Sequence, residues 1–172
     1  NTLVNTLTFR TIEDTDNLIT RKSLSHSVFI IGSGPLGIEA AIGMKTRDNR
    51  VYLQARNYLL DSSLDQKAQE VLADNLSTAG IQVIENDNIT SIIGSNHVIG
   101  VELSSGRIIE CDTVVFCTGV NANKALAEII DLDTNKGILV NDAMQTSDPS
   151  IYAVGECSEH KGRTYGLVAP GL

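Results

Sequence analysis

Three glycines, Gly32, Gly34 and Gly37, stand at the spacing G-x-G-x-x-G, directly after the apolar run Val28-Phe29-Ile30-Ile31 and directly before a helical pattern. β-branched and aromatic residues in such a run describe a buried strand. Gly32 permits the tight turn off that strand, Gly34 leaves room for backbone to approach a pyrophosphate, and Gly37 lets the next helix pack close on the sheet. Ser33, Pro35 and Leu36 fill the variable places, and Pro35 suits the first turn of a helix, where its missing N–H costs little. The free amides and positive dipole end of that helix attract phosphate. The chemistry is that of dinucleotide binding, and strand before and helix after supply its context. A glycine-rich turn that binds nothing is the alternative.

The end of the next strand, Val51-Tyr52-Leu53-Gln54, bears on which nucleotide fits. An acid about twenty residues after the glycines normally grips the ribose 2′-hydroxyl of NAD. That place falls near Ala55, followed by Arg56, and no Asp or Glu occurs between Arg50 and Leu60. Arg56 is the group that would meet the 2′-phosphate of NADP, although Gly37 argues mildly the other way and a solvated strand-end charge is the plainer reading.

Other chemistries find less support. Cys111, Cys117 and Cys157 make no C-x-x-C and no metal-ligand spacing, so no metal site is expected. Their surroundings suit reduced thiols of a cytoplasmic protein. Neither Tyr58 nor Tyr165 has the lysine of a Tyr-x-x-x-Lys pair, and His26, His97 and His160 have no obvious acid partner in sequence. Net charge is −8 with dispersed Lys and Arg, which carries no nucleic-acid footprint. No apolar run approaches a membrane span, and the opening Asn1-Thr2-Leu3-Val4 does not have the basic, apolar, cleavable order expected of a signal peptide. At 172 residues there is room for one full domain, or one domain plus a fragment of another, and without an initiator Met the chain reads as a piece of something longer.

The elements that position the glycine turn follow in order. Thr11 or Asp14 caps a helix running to about Arg21. Strand 28–31, the turn, a helix from Pro35 to Thr46 with Leu36, Ala40 and Met44 on one face, and strand 51–54 form a βαβ unit. Ser62 or Asp65 caps a helix to Ala79 whose buried stripe is Ala68, Val71, Leu72, Leu76 and Ala79; Gly80 closes it. Residues 81–84 are a third parallel strand. Short runs at 89–93, 97–103 and 107–110 form an antiparallel meander, and Thr113–Cys117 returns to the buried sheet. A short helix from Lys124 to Asp131, a strand at 137–140 and a strand from Ser150 into a turn at Gly155 complete the pattern. The tail from Lys161 to Leu172 ends before any closing helix.

The ordered segments "VFIIGSGPLGIEAA", "CDTVVFCTGVNAN" and "KGILVNDAMQTSDPSIYAVGEC" are similar to the FAD- and NAD(P)-dependent pyridine nucleotide-disulfide oxidoreductases, and "TFRTIEDTD" with "GECSEHKGRTYGLVAP" resembles the nitrite reductase large subunit and rubredoxin reductase branch. The resemblance implies an α/β fold: a Rossmann-like, three-layer NAD(P)-binding domain at 24–116, with FAD-domain remnants at 1–23 and 117–172. It implies NAD(P)H and, in the full-length protein, FAD as cofactors, with hydride passing between them. A separate N-terminal FAD module and downstream redox domains would be its missing partners. It carries Glu39 to a place near the nicotinamide, Thr118 and Gly119 to backbone lying against the dinucleotide, and Gly155 and Glu156 to the FAD side, where the family usually has Asp after the glycine. For Glu39, a first-turn helix glutamate favoured by the dipole is the competing reading. Cys157 reads as a packing cysteine rather than a redox thiol. A bare nucleotide-binding module and a self-contained Rossmann dehydrogenase are the rival functions, and no acceptor is specified.

Overall fold

Strand β2 (Ser27–Ile31) is buried at all five positions, as a continuous apolar run requires of a strand covered on both faces. The computed structural model describes residues 3–61 and 63–164. It divides at Gly119 into two units.

The first unit is built on a five-stranded sheet, and every pair in it is parallel. Its members are β1 (Thr6–Thr8), β2, β3 (Arg50–Ala55), β4 (Ile81–Glu85) and β8 (Thr113–Phe116), in the order β1-β8-β2-β3-β4. Alternate residues feed opposite cores. Val28, Ile30, Val51, Leu53, Ile81 and Val115 meet the helices α1 (Ile12–Lys22), α2 (Pro35–Met44) and α3 (Gln66–Thr78). Phe29, Ile31, Tyr52, Ile84 and Val114 pack against an antiparallel sheet of β5 (Ile89–Gly94), β6 (Val98–Leu103) and β7 (Ile108–Glu110). Helices, parallel sheet and meander are therefore three layers, as expected.

Several boundaries and faces differ from the sequence reading. β1 was not foreseen: three residues pair with β8 and place the stretch before residue 24 in this unit. Thr11 caps α1, with Asp14 answering in a capping box. α2 stops at Met44, because Lys45 leaves helical geometry (ψ 130°). Its buried face is Gly37, Ile38, Ala40, Ala41 and Met44, and Leu36 at the head of the helix is exposed and lies outside it. Asp65, not Ser62, is seen to cap α3 through the Ala68 amide; Ser62 lies outside the described residues. Val71 and Ala79 are exposed, so the buried stripe of α3 is narrower than expected and centres on Leu76.

In the second unit, α4 (Ala125–Ile129) is followed by β9 (Ile138–Val140) and β10 (Ser158–His160), which pair in parallel. The expected strand from Ser150 is reduced to a single bridge between Tyr152 and Gln145, because residues 146–151 close a turn held by Thr146 and Asp148. The expected tail falls outside the described residues from 165 onward. Glu159 on β10 is 2% exposed and accepts from the Gly137 amide at 2.9 Å and from Asn135 Nδ2 at 3.1 Å. The Gly137 bond foremost holds its carboxyl below the usual carboxylate range. A carboxyl with a depressed folded pKa stabilises above its unfolded value and loses that contribution as pH falls through the folded one. Wild type is therefore expected to melt higher than Glu159→Gln at pH 7, with the two curves converging on acidification below about pH 4. A gap in melting temperature that stays constant from pH 7 to 3 would contradict this.

Candidate functional site

The carboxyl ends of β2, β3 and β8 open on a cavity of about 640 Å³ lined by Gly32, Ser33, Gly34, Gln54, Arg56, Tyr58, Asp61, Asn88, Cys117, Thr118 and Gly119, among others. This is where ligands bind on open α/β sheets. Six residues singled out from sequence meet there: Gly32, Ser33, Gly34, Arg56, Thr118 and Gly119.

Each glycine has its own reason. Gly32 has φ +104°, and a Cβ on it would come 2.4 Å from the Cys117 carbonyl oxygen. Its amide donates to the Gln54 carbonyl at 3.1 Å, tying the turn to β3. A Cβ on Gly37 would lie 1.8 Å from the Gly32 carbonyl oxygen, so this glycine admits the turn's own backbone rather than the sheet. Gly34 differs from both. It has φ −70°, and a Cβ there would meet nothing within 4 Å.

Gly34 is also the N-cap of the ten-residue α2, with no side-chain cap, and its carbonyl accepts the first helical bond from Ile38. Among the described residues, no group accepts from the amides of Ser33, Gly34, Leu36 or Gly37. Those amides and the helix dipole make a cradle for an anion, and the empty space over Gly34 leaves room for one. The cradle fits a dinucleotide's pyrophosphate. Ser33 is fixed from the other side: its carbonyl accepts from Leu60 N, and its Oγ donates to the Tyr58 carbonyl, each at 3.3 Å. Pro35 and Leu36 begin α2 as exposed residues and do not line the cavity.

Glu39 is not brought into the cavity. It is exposed beyond the first turn of α2, so the dipole reading fails, and it borders a groove with Phe9, Leu18 and Met44 on the α1 side. Gly155 and Glu156 belong to the second unit, in a 3-10 turn at Gly155–Cys157. Gly155 has φ +83°, its carbonyl accepts from Ser158 Oγ at 2.8 Å, and Glu156 is exposed.

Asp61 and Gln54 are among the cavity residues that were not expected from sequence. Asp61 lies just beyond Leu60, past the end of the acid-free stretch after β3, and residues 57–61 fold back so that its carboxylate, held by Asn57 Nδ2 at 3.2 Å, joins the wall. Gln54 is 5% exposed, and a glutamine within an apolar strand was the signal for it. The three thiols are free; burial pushes Cys111 up to about 12 and Cys117 up to about 11, which keeps both protonated at neutral pH. His160 does have an acid partner: Nε2 lies 2.7 Å from Asp142 Oδ1, a pairing made by the β9–β10 register and invisible in sequence.

The family model for pyridine nucleotide-disulphide oxidoreductase matches residues 3–169. The chain belongs to that family. Among relatives of this oxidoreductase chain, a nitrite reductase (NAD(P)H) of Bacillus subtilis is 38% identical over 163 residues, which is 94% of this chain and 20% of that protein. The nitric oxide reductase FlRd-NAD(+) reductase of Vibrio vulnificus is 32% identical over 149 residues, covering 86% of this chain and 39% of that one. The solved ferredoxin reductase from Rhodopseudomonas palustris superposes with a TM-score of 0.88 at 30% identity, over 93% of this chain and 40% of its own. The chain thus spans about a fifth to two fifths of the relatives it matches. Among the described residues of this oxidoreductase chain, no helix is long and apolar enough to cross a membrane.

Proposed function

We propose that this chain is the NAD(P)H-binding part of a flavoprotein oxidoreductase that passes a hydride from NAD(P)H to FAD, serving as the electron-input part of a nitrite reductase large subunit. One observation carries the reading: the open space over Gly34, beside amides at the head of α2 that donate to no described residue. The identity to the Bacillus nitrite reductase supports the branch. In this reading the chain descends as an inserted domain, residues 24–116, between segments of an FAD domain at 1–23 and 117–172.

Gly32 sets the turn, Ser33, Gly34, Leu36 and Gly37 offer amides to the pyrophosphate, and Thr118 with Gly119 bounds the opposite wall. Pro35 fixes the first turn of α2 without contributing a donor. Gly155 and Glu156 stand on the FAD side. The reduced nicotinamide supplies the hydride when bound; the protein's part is to hold it in place. Calorimetric titration of the purified chain with NADH and NADPH tests the reading. Saturable binding of at least one is expected, and binding of neither would end it.

Arg56 and Asp61 line the same cavity and pull in opposite directions. A guanidinium favours a 2′-phosphate, whereas a carboxylate favours a 2′-hydroxyl. Arg56 is exposed, so solvent screens its contribution to about 1.5 kcal/mol, roughly tenfold in affinity. Arg56→Ala is expected to weaken NADPH by that factor and to leave NADH nearly unchanged, read as paired dissociation constants. Equal losses for both nucleotides would make Arg56 a solvated charge at the end of a strand.

The role of Glu39 near the nicotinamide has its own test. Glu39→Ala is expected to weaken NADH several-fold while ADP-ribose, which lacks the nicotinamide ring, binds as before. A loss shared by both ligands, or by neither, would remove Glu39 from the site.

A further inference from the structure

β3 is apolar and buried along Val51, Tyr52, Leu53 and Ala55, and the exception is Gln54, itself only 5% exposed. A buried amide is normally partnered at both ends. Gln54 Nε2 donates to the Asp87 carbonyl at 3.3 Å, and no described group is bonded to Oε1. The carbonyl of Asp87 can only accept, so the amide's NH₂ must be the end facing it. Gln54 lines the cavity beside Gly32, Ser33 and Asn88, and with Nε2 bonded to Asp87, Oε1 is the acceptor left for a ligand there. Among the described residues no side-chain oxygen is both sealed from solvent and without a partner, so Oε1 retains solvent access.

The geometry is also held in advance. Asp87 is pinned through its carboxylate, which accepts from Ser104 Oγ at 2.9 Å, Ser105 N at 3.0 Å and Ser105 Oγ at 2.7 Å. Its carbonyl in turn anchors Gln54. An apolar side chain would suit this buried strand position better, so a half-satisfied amide points to a ligand. An accepting oxygen is suited to a hydroxyl and repels phosphate oxygens.

We propose that Gln54 is a specificity residue of the cavity, its Oε1 accepting a hydrogen bond from a ribose hydroxyl of the bound nucleotide where Ala55 supplies no carboxylate. This rests on the cavity's being a dinucleotide site. The test is calorimetric titration of wild type and Gln54→Met with ADP, 2′-deoxy-ADP and 3′-deoxy-ADP. Wild type is expected to bind one deoxy ligand about fivefold more weakly than ADP, the worth of one neutral hydrogen bond. Gln54→Met is expected to bind ADP weakened by that factor and to stop distinguishing the pair. Should circular dichroism find Gln54→Met unfolded, Gln54→Asn, whose shorter amide withdraws the oxygen, must show the same loss. Equal binding of all three ligands by wild type, or discrimination that survives in the folded variants, overturns the proposal. Failure of wild type to bind either NADH or ADP would instead overturn the dinucleotide reading beneath it.

Discussion

Gly34→Val is expected to abolish measurable nucleotide binding while the protein folds as before. The native φ of −70° is open to any residue, so no backbone strain accompanies the change, and the new Cβ meets no protein atom within 4 Å. What the branched side chain fills is the space over the α2 amides, where phosphate oxygens would sit. Losing two charge-assisted bonds there, about 1.5–3 kcal/mol each, corresponds to roughly a hundredfold or more in affinity. Calorimetry with NADH and NADPH reads the loss, and a thermal melt reads the fold; valine at the N-cap costs only about 1 kcal/mol or less relative to glycine. A folded variant with wild-type affinity would place the phosphates elsewhere.

Gly32→Ala is expected to fail in the opposite way, through the fold. Here φ is +104°, and a Cβ would come 2.4 Å from the Cys117 carbonyl oxygen and 2.9 Å from its carbon. Backbone strain of about 1–3 kcal/mol adds to an overpacking cost of similar size. For a unit of this length the melting temperature should fall by roughly 10 °C or more. Binding should fall too, as a consequence of the displaced turn. A wild-type melting temperature for Gly32→Ala would mean that the turn and the end of β8 are not in contact in solution. Two glycines, two places apart, thus separate binding from folding.

The layers were legible because their causes are local. A buried strand between Gly-rich turns, a proline at the head of a helix and short runs joined by Gly and Ser each declare themselves in a few residues. The glycine spacing and Arg56 are local signals of the same kind, whereas Thr118 and Gly119 were carried by the family resemblance; of these, Gly32, Gly34, Arg56, Thr118 and Gly119 line the cavity. What escaped depended on distant pairing. β1 is three residues long and is a strand only because Val114 and its neighbours lie beside it. Tyr152 and its neighbours have strand composition, but the Thr146–Asp148 turn takes up their backbone bonds. Asp61 enters the cavity through a loop reversal that no periodicity encodes, and Asp142 reaches His160 across eighteen residues. Glu39 was placed on α2 by its spacing from Gly37, and it borders the groove toward α1 rather than the glycine cavity, so its proposed place near the nicotinamide rests on the family resemblance and on the Glu39→Ala test.

The position of β8 has a consequence for how this chain becomes competent. β8 is inserted between β1 and β2, so its pairings join Thr6 to Val114 and Val28 to Thr113. These are among the longest loops the chain can close, and such contacts form late because their entropy must be met before they stabilise anything. The wall of the glycine turn is the Cys117 carbonyl, delivered by that last strand. On a ribosome, Gly32 emerges long before its neighbour exists. On the proposed dinucleotide reading, a nucleotide that needs this wall is expected to capture chains in which β8 has already closed, acting as a latch on a finished sheet rather than as a template for an early one.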